Sequence, residues 1–195
     1  MNVNSSRAPG SPQREAILAA ATAAFLRYGF KKTSMDDVAR AAGVSRQGLY
    51  LYFDTKDLLF RETLQHLMSH LISAARAAAE DRNLSLRDRL LGVFEAVHGS
   101  AFQSASPEHA FELLRSAQSA DGALLVQLDR DLMGIVAALL AGAGAADRWK
   151  GAGVTVAELS EQLLMSAKGI KASVDTLTAY RKRMRTAIRI VTRRP

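Results

Sequence analysis

The chain has 195 residues, of which 48% are hydrophobic, and its formal net charge is +7 at neutral pH. This length allows one small and one larger domain, or a single larger core, and no apolar run is long enough to span a membrane. The chain contains no cysteine, which excludes disulfides, thiol-based redox sensing, zinc–cysteine sites and cysteine nucleophiles.

Residues 1–13, MNVNSSRAPGSPQ, are predicted to form a disordered arm. They lack the apolar core of a signal peptide, so we expect a cytoplasmic protein. A first helix is predicted from about Arg14 to Tyr28, because apolar residues recur there at helical spacing. Gly29 is expected to end this helix, and Phe30 to make the apolar contact that accompanies such a cap.

Residues 33–56, TSMDDVARAAGVSRQGLYLYFDTK, form the most informative segment, which predicts two short helices joined by a tight turn. The first helix, about Met35 to Ala42, begins with SMDD, which approximates a capping box. Gly43 then ends it, because a left-handed residue after a helix is least costly as glycine. Ser45 is the predicted N-cap of the second helix.

The second helix is predicted to present a polar surface near its N-terminus. Leu49, Tyr52 and Phe53 are expected to point inward. Four residues are then left facing outward: Arg46, Gln47, Gly48 and Tyr50. In a helix-turn-helix, residues in this part of the second helix reach base edges in the major groove of DNA. Small Ala39 at the helix crossing fits that motif, whereas a helical hairpin without a DNA partner does not need it.

The charge distribution agrees with DNA contact near the N-terminus. The net charge is +3 over residues 1–60, −3 over residues 61–170 and +7 over residues 171–195. A positive end around the helix-turn-helix suits phosphate contacts, whereas the acidic middle would not bind DNA. Two interpretations of the arm stay open: a solvated tail, or a tail whose Arg7, with Arg14, touches a minor groove or a phosphate.

The rest of the chain is predicted to be helical throughout, with no segment that alternates long enough to form a strand. The further helices are predicted from Asp54 or Thr55 to about Glu80, from Ser85 to about Ser100, from Ser106-Pro107 onward, and over 121–141, 155–168 and 174–192. Thr155 and Glu158 form a capping box, and Ser173 is the predicted N-cap of the last helix. The predicted fold class is all-α, with about nine helices. Its domains are a helix-turn-helix domain over residues 14–57 and a helical domain over residues 58–195.

One segment, Phe25 to Phe60, resembles the DNA-binding domain of the TetR (tetracycline-repressor) family of bacterial transcriptional regulators. It contains a Phe-x-x-x-Gly-aromatic turn, then Thr, a Val-Ala pair, Ala-Gly-Val-Ser, a Leu-Tyr-x-Tyr-Phe run and Lys-Asp-x-Leu. The sequence departs from the family at Gln47-Gly48, where many members have Gly or Pro followed by a small polar residue. This departure bears on base preference, and the segment covers about a fifth of the chain.

The resemblance implies a ligand-responsive, DNA-binding transcriptional regulator. The preferred interpretation is a repressor that binds a palindromic operator as a dimer and is released by a small-molecule effector. Dimerisation is expected because one recognition helix reads too few base pairs to select a site. By resemblance, the last two helices, about 155–168 and 174–192, would form the homodimer. An activator of the same fold and a non-specific DNA-binding protein are the alternatives.

The predicted roles at DNA follow from side-chain chemistry. Arg46 suits guanine and Gln47 suits adenine. Gly48 either lets the backbone approach DNA closely or is a family variant without a role. Six residues are predicted to contact phosphates and position the protein: Thr33, Ser34, Ser45, Tyr50, Tyr52 and Lys56. By its spacing, Tyr52 also belongs in part to the core.

The middle of the chain offers candidate walls for an effector pocket, although the same residues suit a plain core. They are Phe94, His98, Phe102, Phe111, Leu114, Met133, Trp149 and Met165. Trp149 lies in a polar segment, where it would shield a pocket mouth or an interface. The effector itself is unknown from the sequence, and no cofactor is expected.

Three other features suggest chemistry that we do not assign. Glu62, His66 and His70 are spaced i, i+4 and i+8 on one helix, but no further ligand accompanies them, so no metal site is predicted. The basic C-terminal segment is interpreted as a packed helix with solvated arginines, against a second contact with DNA or lipid headgroups. Ser, His and Asp are present without a nucleophile elbow, phosphate loop or metal motif, so we expect no enzyme and no catalytic residue.

Overall fold

The computed structural model describes residues 11–102 and 107–193, without the side chains of residues 100, 101, 107–114, 117–121 and 146. The described residues form eight α-helices, three short 3₁₀ helices and no strand, which confirms the all-α prediction. The helices are α1 Pro12–Tyr28, α2 Met35–Ala41, α3 Arg46–Tyr50, α4 Lys56–Glu80, α5 Leu86–His98, α6 Pro107–Gly142, α7 Val156–Ala172 and α8 Leu177–Val191. None of them, within the described residues, is long and apolar enough to cross a membrane.

The described residues contain eight α-helices where the sequence predicts about nine, because a single helix replaces two predicted ones. The predicted start near Asp121 lies inside α6, which continues from Pro107 to Gly142. Gly122 stands inside this helix. A glycine there costs about 1 kcal/mol relative to alanine, which weakens a long helix without ending it.

The start of the last helix also differs from the prediction. Ser173 is the C-cap of α7, and its hydroxyl donates to the carbonyl of Ile170 over 3.0 Å. Thr176 is the N-cap of α8, since its hydroxyl accepts the backbone N–H of Ala179 over 3.2 Å. Both residue types suit helix ends, so the sequence alone does not decide which of them begins the helix.

Residues 1–10 of the predicted arm lie outside the described residues, whereas Pro12 and Gln13 already belong to α1. Ser11 caps this helix by accepting the backbone N–H of Arg14 over 3.4 Å. Proline suits the first position of a helix because its missing N–H would have no partner there. Gly29 ends α1 with φ +81°, as predicted.

Contacts divide the chain into two compact units, Met1–Ser69 with Ser104–Leu125 and His70–Gln103 with Val126–Pro195. The first unit contains α1, α2 and α3 and the beginning of α4 around one apolar core. In that core the rings of Phe25 and Phe60 meet edge-on with centroids 5.2 Å apart, and Phe30 packs against both. Burial of each such side chain contributes roughly 1.5–3 kcal/mol, so the core holds α2 and α3 in place.

The second unit has its own apolar core, built from α5, α7, α8 and parts of α4 and α6. The interpretation of the C-terminal segment as a packed helix agrees with the structure, since Tyr180, Met184, Ile188 and Val191 of α8 are all buried. Trp149 packs against this core and donates its indole N–H to the carbonyl of Val191 over 3.0 Å. That bond ties the segment before α7 to the end of α8.

Candidate nucleic-acid interface

The turn between α2 and α3 has the geometry that the sequence predicts. The backbone N–H of Asp37 donates to the Ser34 hydroxyl over 3.1 Å, and that of Ser34 donates to the Asp37 carboxylate over 2.9 Å. These Ser34 hydrogen bonds hold the pKa of the Asp37 carboxyl below its usual value. Gly43 has φ +67°, a conformation that glycine adopts at little cost. The capping box and the glycine stop are therefore confirmed.

The N-terminus of α3 is held by Ser45, whose hydroxyl accepts the backbone N–H of Gly48 over 2.9 Å. A Cβ at Gly48 would lie 3.1 Å from that same oxygen. Glycine at this position therefore leaves room for the cap. This contact supplies a structural reason for Gly48 that neither interpretation of the sequence included.

Four residues form a shallow surface groove along α3 and the residue after it: Arg46, Gln47, Tyr50 and Leu51. Tyr50 is 38% exposed and the guanidinium carbon of Arg46 lies 5.8 Å from its ring centroid. Leu49, on the other side of the helix, is fully buried. The structure thus brings three predicted DNA-binding side chains together on one exposed face.

Two further residues at or near this groove are not among the DNA-binding positions that the sequence predicts. Leu51 is 55% exposed and lines the groove, and it lies four positions after Gln47, a spacing that places residues on the same side of a helix. Asp36 contacts Arg46, with 3.2 Å between a guanidinium nitrogen and a carboxylate oxygen. This contact joins residues ten positions apart, which no local pattern reveals.

The remaining DNA-binding candidates lie in different environments. Ser34 and Ser45 are exposed caps, and Tyr52 is half-buried against the core of its unit, as its spacing indicates. Lys56 places its ammonium 4.4 Å from the ring centroid of Phe30 and donates to a backbone carbonyl over 3.4 Å. Its position at the start of α4 stays compatible with a phosphate contact.

Thr33 differs from the other phosphate candidates because it is 2% exposed. Its hydroxyl donates to the carbonyl of Gly29 over 2.8 Å. In this arrangement the side chain closes the loop between α1 and α2. Its predicted phosphate contact stays a prediction.

The effector-pocket candidates whose side chains are described all lie in the second unit. Phe94 is fully buried, and His98 is 6% exposed with its Nδ1 2.9 Å from the Tyr180 hydroxyl. Burial, with the charges of Lys171 and Lys168, lowers the pKa of His98 to about 4. Phe102 lies beside Tyr180, with ring centroids 5.4 Å apart.

The remaining candidates lie in different environments. Met133 and Trp149 pack against the core of the second unit, whereas Met165 is 49% exposed on α7. Phe111 and Leu114 belong to the part of α6 whose side chains are outside the described residues. A groove of about 730 Å³ lies in the second unit, and none of the six described candidates lines it.

Of the three residues considered for a metal site, Glu62 and His66 have described partners. Glu62 forms an ion pair with Arg14, and His66 Nδ1 lies 3.0 Å from a carboxylate oxygen of Glu15. The Glu62 carboxylate is thus paired with the Arg14 guanidinium, and the carboxylate next to His66 is that of Glu15. Arg14 therefore has a described role inside its unit, between α1 and α4.

Comparison with protein families identifies the segment of the first unit that contains the helix-turn-helix. The family model described as bacterial regulatory proteins, tetR family, matches residues 17–63, which include α2, the turn and α3. The matched segment belongs to the TetR family. All nine predicted DNA-binding positions, from Thr33 to Lys56, lie within this matched segment.

Curated relatives named as HTH-type transcriptional regulators match part of the chain. The HTH-type transcriptional regulator RutR of Escherichia coli K12 is 34% identical over 71 residues, which cover 36% of this chain and 34% of RutR. The HTH-type transcriptional activator FasR of Mycolicibacterium smegmatis is 34% identical over 95 residues, covering 49% of this chain and 43% of FasR. The matched segment therefore spans about a third to less than half of the length of these relatives.

Solved structures extend the likeness in fold to the second unit. A TetR-like transcriptional regulator from Rhodococcus sp. RHA1 superposes with a TM-score of 0.62 and 24% identity, over 96% of this chain and 100% of that one. A TetR transcription regulator from Haloarcula marismortui has a TM-score of 0.66 and 20% identity, over 91% and 95% of the two chains. These likenesses show a TetR-like fold over more than nine-tenths of this chain.

Proposed function

We propose that this protein is a transcriptional regulator that binds a palindromic DNA operator as a homodimer, represses transcription there and is released by a small-molecule effector. The observation that carries the proposal is the exposed face of α3, where Arg46, Gln47 and Tyr50 stand together directly after the Ser45 cap. Such a face fits the major groove, in which arginine and glutamine recognise guanine and adenine.

Dimerisation is proposed through α7 and α8. Each helix leaves a large apolar side chain exposed, Met165 at 49% on α7 and Ile190 at 58% on α8. Exposed apolar side chains of this kind are expected at the centre of an interface between copies. A dimer would present two copies of α3 to two half-sites, which a single short helix requires for specificity.

The test is fluorescence anisotropy with DNA from the region upstream of the gene and with a scrambled duplex, at two salt concentrations. Site-specific regulation requires a preference of about a thousandfold or more for one sequence. Arg46→Ala, Gln47→Ala and Tyr50→Ala are expected to abolish that preference while the dimer persists. Lys150→Ala is the matched control, because this cation is exposed on the second unit, outside the helix-turn-helix.

The outcomes separate the alternatives. Equal affinity for both duplexes, followed by no enrichment in a random-sequence selection, would contradict a specific regulator and favour a non-specific DNA-binding protein. A specific operator whose occupancy raises transcription in a reporter assay would favour an activator instead of a repressor. The activator is a specific second candidate because FasR, one of the relatives, is named as a transcriptional activator.

A further inference from the structure

The groove of about 730 Å³ in the second unit combines an apolar floor with a basic rim. It lies between the C-terminal part of α4, the beginning of α5 and the C-terminal part of α6. Ala79 and Leu139 of its floor are buried, at 8% and 7% exposure, and Ile135 adds a half-buried aliphatic surface. Its volume falls in the range of about 300–1,000 Å³ that is usual for small-molecule sites.

Charge on the rim is predominantly positive. Four arginines line the groove, Arg76, Arg82, Arg89 and Arg130, against two carboxylates. Within the part of the chain that the structure describes, no carboxylate oxygen lies within 4.0 Å of any of these four guanidinium groups. Guanidinium groups without a carboxylate partner favour an anion, because their planar donors match carboxylate and phosphate oxygens.

One of the arginines is fixed in position by the fold. The Nε atom of Arg89 donates to the backbone carbonyl of Ala79 over 2.6 Å, and its terminal nitrogen donates to the same oxygen. This carbonyl belongs to the last turn of α4, which ends at Glu80. Arg89 therefore closes a helix end and stands at the edge of the groove, so its remaining donors are preorganised for a ligand.

One of the residues that line the groove is an exposed glycine. Gly134 lies in the interior of α6, and a Cβ added there would meet no atom within 4 Å of those described. A larger side chain at this exposed position would therefore extend into the groove.

We infer that this groove binds a small amphipathic anion, with a carboxylate head at the arginines and an aliphatic body along Ala79, Ile135 and Leu139. An alkyl carboxylate fits both halves of the site, whereas an alcohol lacks the charge and inorganic phosphate lacks the apolar body. The role of such a ligand as the effector rests on the function proposed above. Its binding to the groove does not.

Isothermal titration calorimetry of the full chain with octanoate, 1-octanol and inorganic phosphate tests the inference. Octanoate is expected to bind saturably with one site per chain, and octanol about tenfold more weakly or not at all. Arg76→Gln/Arg130→Gln should weaken octanoate binding by about tenfold. The matched control is Arg61→Gln/Arg115→Gln, which removes two exposed arginines of the same helices, α4 and α6, outside the groove.

A steric variant separates binding from folding. Gly134→Met should fill the groove and abolish octanoate binding, and circular dichroism should show an unchanged or more stable fold, because a Cβ at this position meets no atom. The inference fails if octanoate gives no saturable heat, if octanol binds as tightly, or if neither groove variant weakens binding. A response of the Arg61→Gln/Arg115→Gln control equal to that of the groove variant would also overturn it.

A last measurement distinguishes failure of the inference from failure of the proposed function. Anisotropy of an operator complex is followed while octanoate is added. Octanoate that binds in the groove without changing DNA affinity would overturn the effector role and support the site. A protein that binds octanoate in the groove but prefers no DNA sequence would contradict the proposed regulator and leave the site confirmed.

Discussion

The carboxylate of Asp36 on α2 lies 3.2 Å from the guanidinium of Arg46 on α3. Both side chains are largely exposed, at 49% and 66%, so the pair stabilises the fold by little. The pair matters for DNA binding, because Arg46 is the side chain expected to reach a base edge. An acidic partner beside that side chain opposes the approach of DNA.

Replacing Asp36 with asparagine is therefore expected to strengthen DNA binding. The change removes a negative charge near the phosphates and releases Arg46, so the dissociation constant should fall by roughly two- to fivefold. Anisotropy at low salt measures it. In an Arg46→Ala background the same substitution should have a smaller effect, and an equal gain in both backgrounds would mean that Asp36 acts on DNA independently of Arg46.

Lys56→Ala should weaken binding to every DNA sequence alike. Its ammonium, held near the Phe30 ring and a backbone carbonyl at the start of α4, suits a phosphate contact. The slope of log affinity against log salt concentration should then fall by about one. A variant with altered sequence preference and an unchanged slope would contradict the phosphate role.

Ser45 and Gly48 are expected to be coupled energetically. Ser45→Ala should cost about 1 kcal/mol of folding free energy through loss of the cap. Gly48→Ala should gain helix propensity, but its Cβ would stand 3.1 Å from the Ser45 oxygen. Alanine at position 48 should thus be more favourable, by about 0.5–1 kcal/mol, when Ser45 is already alanine. Urea unfolding of the unmodified protein and the three variants of the cycle measures this difference, and additive effects would contradict the steric conflict.

The free energy of unfolding should depend on pH through protonation of the buried His98. Burial, with Lys171 and Lys168, lowers its pKa to about 4 from 6.5, so the unfolded chain binds the proton first as the pH falls. The free energy of unfolding should therefore decrease between about pH 6.5 and pH 4, by up to roughly 3 kcal/mol. Chemical unfolding across that range tests it. His98→Gln should flatten this part of the profile, and an unchanged slope in that variant would assign the pH dependence to other groups.

The proposed dimer has a surface test that leaves the core intact. Met165→Glu/Ile190→Glu should yield folded monomers in light scattering, because both side chains are exposed within one chain. Val126→Glu on α6 is the matched control, since Val126 is 57% exposed on neither proposed interface helix, and it should leave the dimer intact. A double variant that remains dimeric would place the interface elsewhere. Deleting α8 is a weaker test of the dimer, because the deletion would also remove Tyr180 and Met184 from the core.

Sequence patterns anticipated the features that depend on neighbouring residues. The Ser34 capping box, the positive φ of Gly43 and the Ser45 cap all arise from residues within a few positions of one another. The face of α3 follows from helical periodicity, with Leu49 buried and Tyr50 exposed. Such local features can be predicted from the sequence without knowledge of the fold.

What escaped prediction depends on long-range packing or on balanced propensities. The contact between Asp36 and Arg46 and the arginine-rich groove unite residues of different helices. Neither has a local signature. The continuity of α6 and the choice of Thr176 over Ser173 turn on small energy differences between acceptable alternatives. Physical context, and not residue type, decides these cases.

The indole of Trp149, bonded to the carbonyl of Val191, gives the molecule an intrinsic optical probe. The chain has one tryptophan and four tyrosines, and the tryptophan reports on the docking of the end of α8, while Tyr28, Tyr50 and Tyr52 all belong to the other unit. Loss of structure in the second unit can therefore be followed by tryptophan emission alone, without a label. A denaturant titration read at both chromophores would show whether the two units melt together or in sequence.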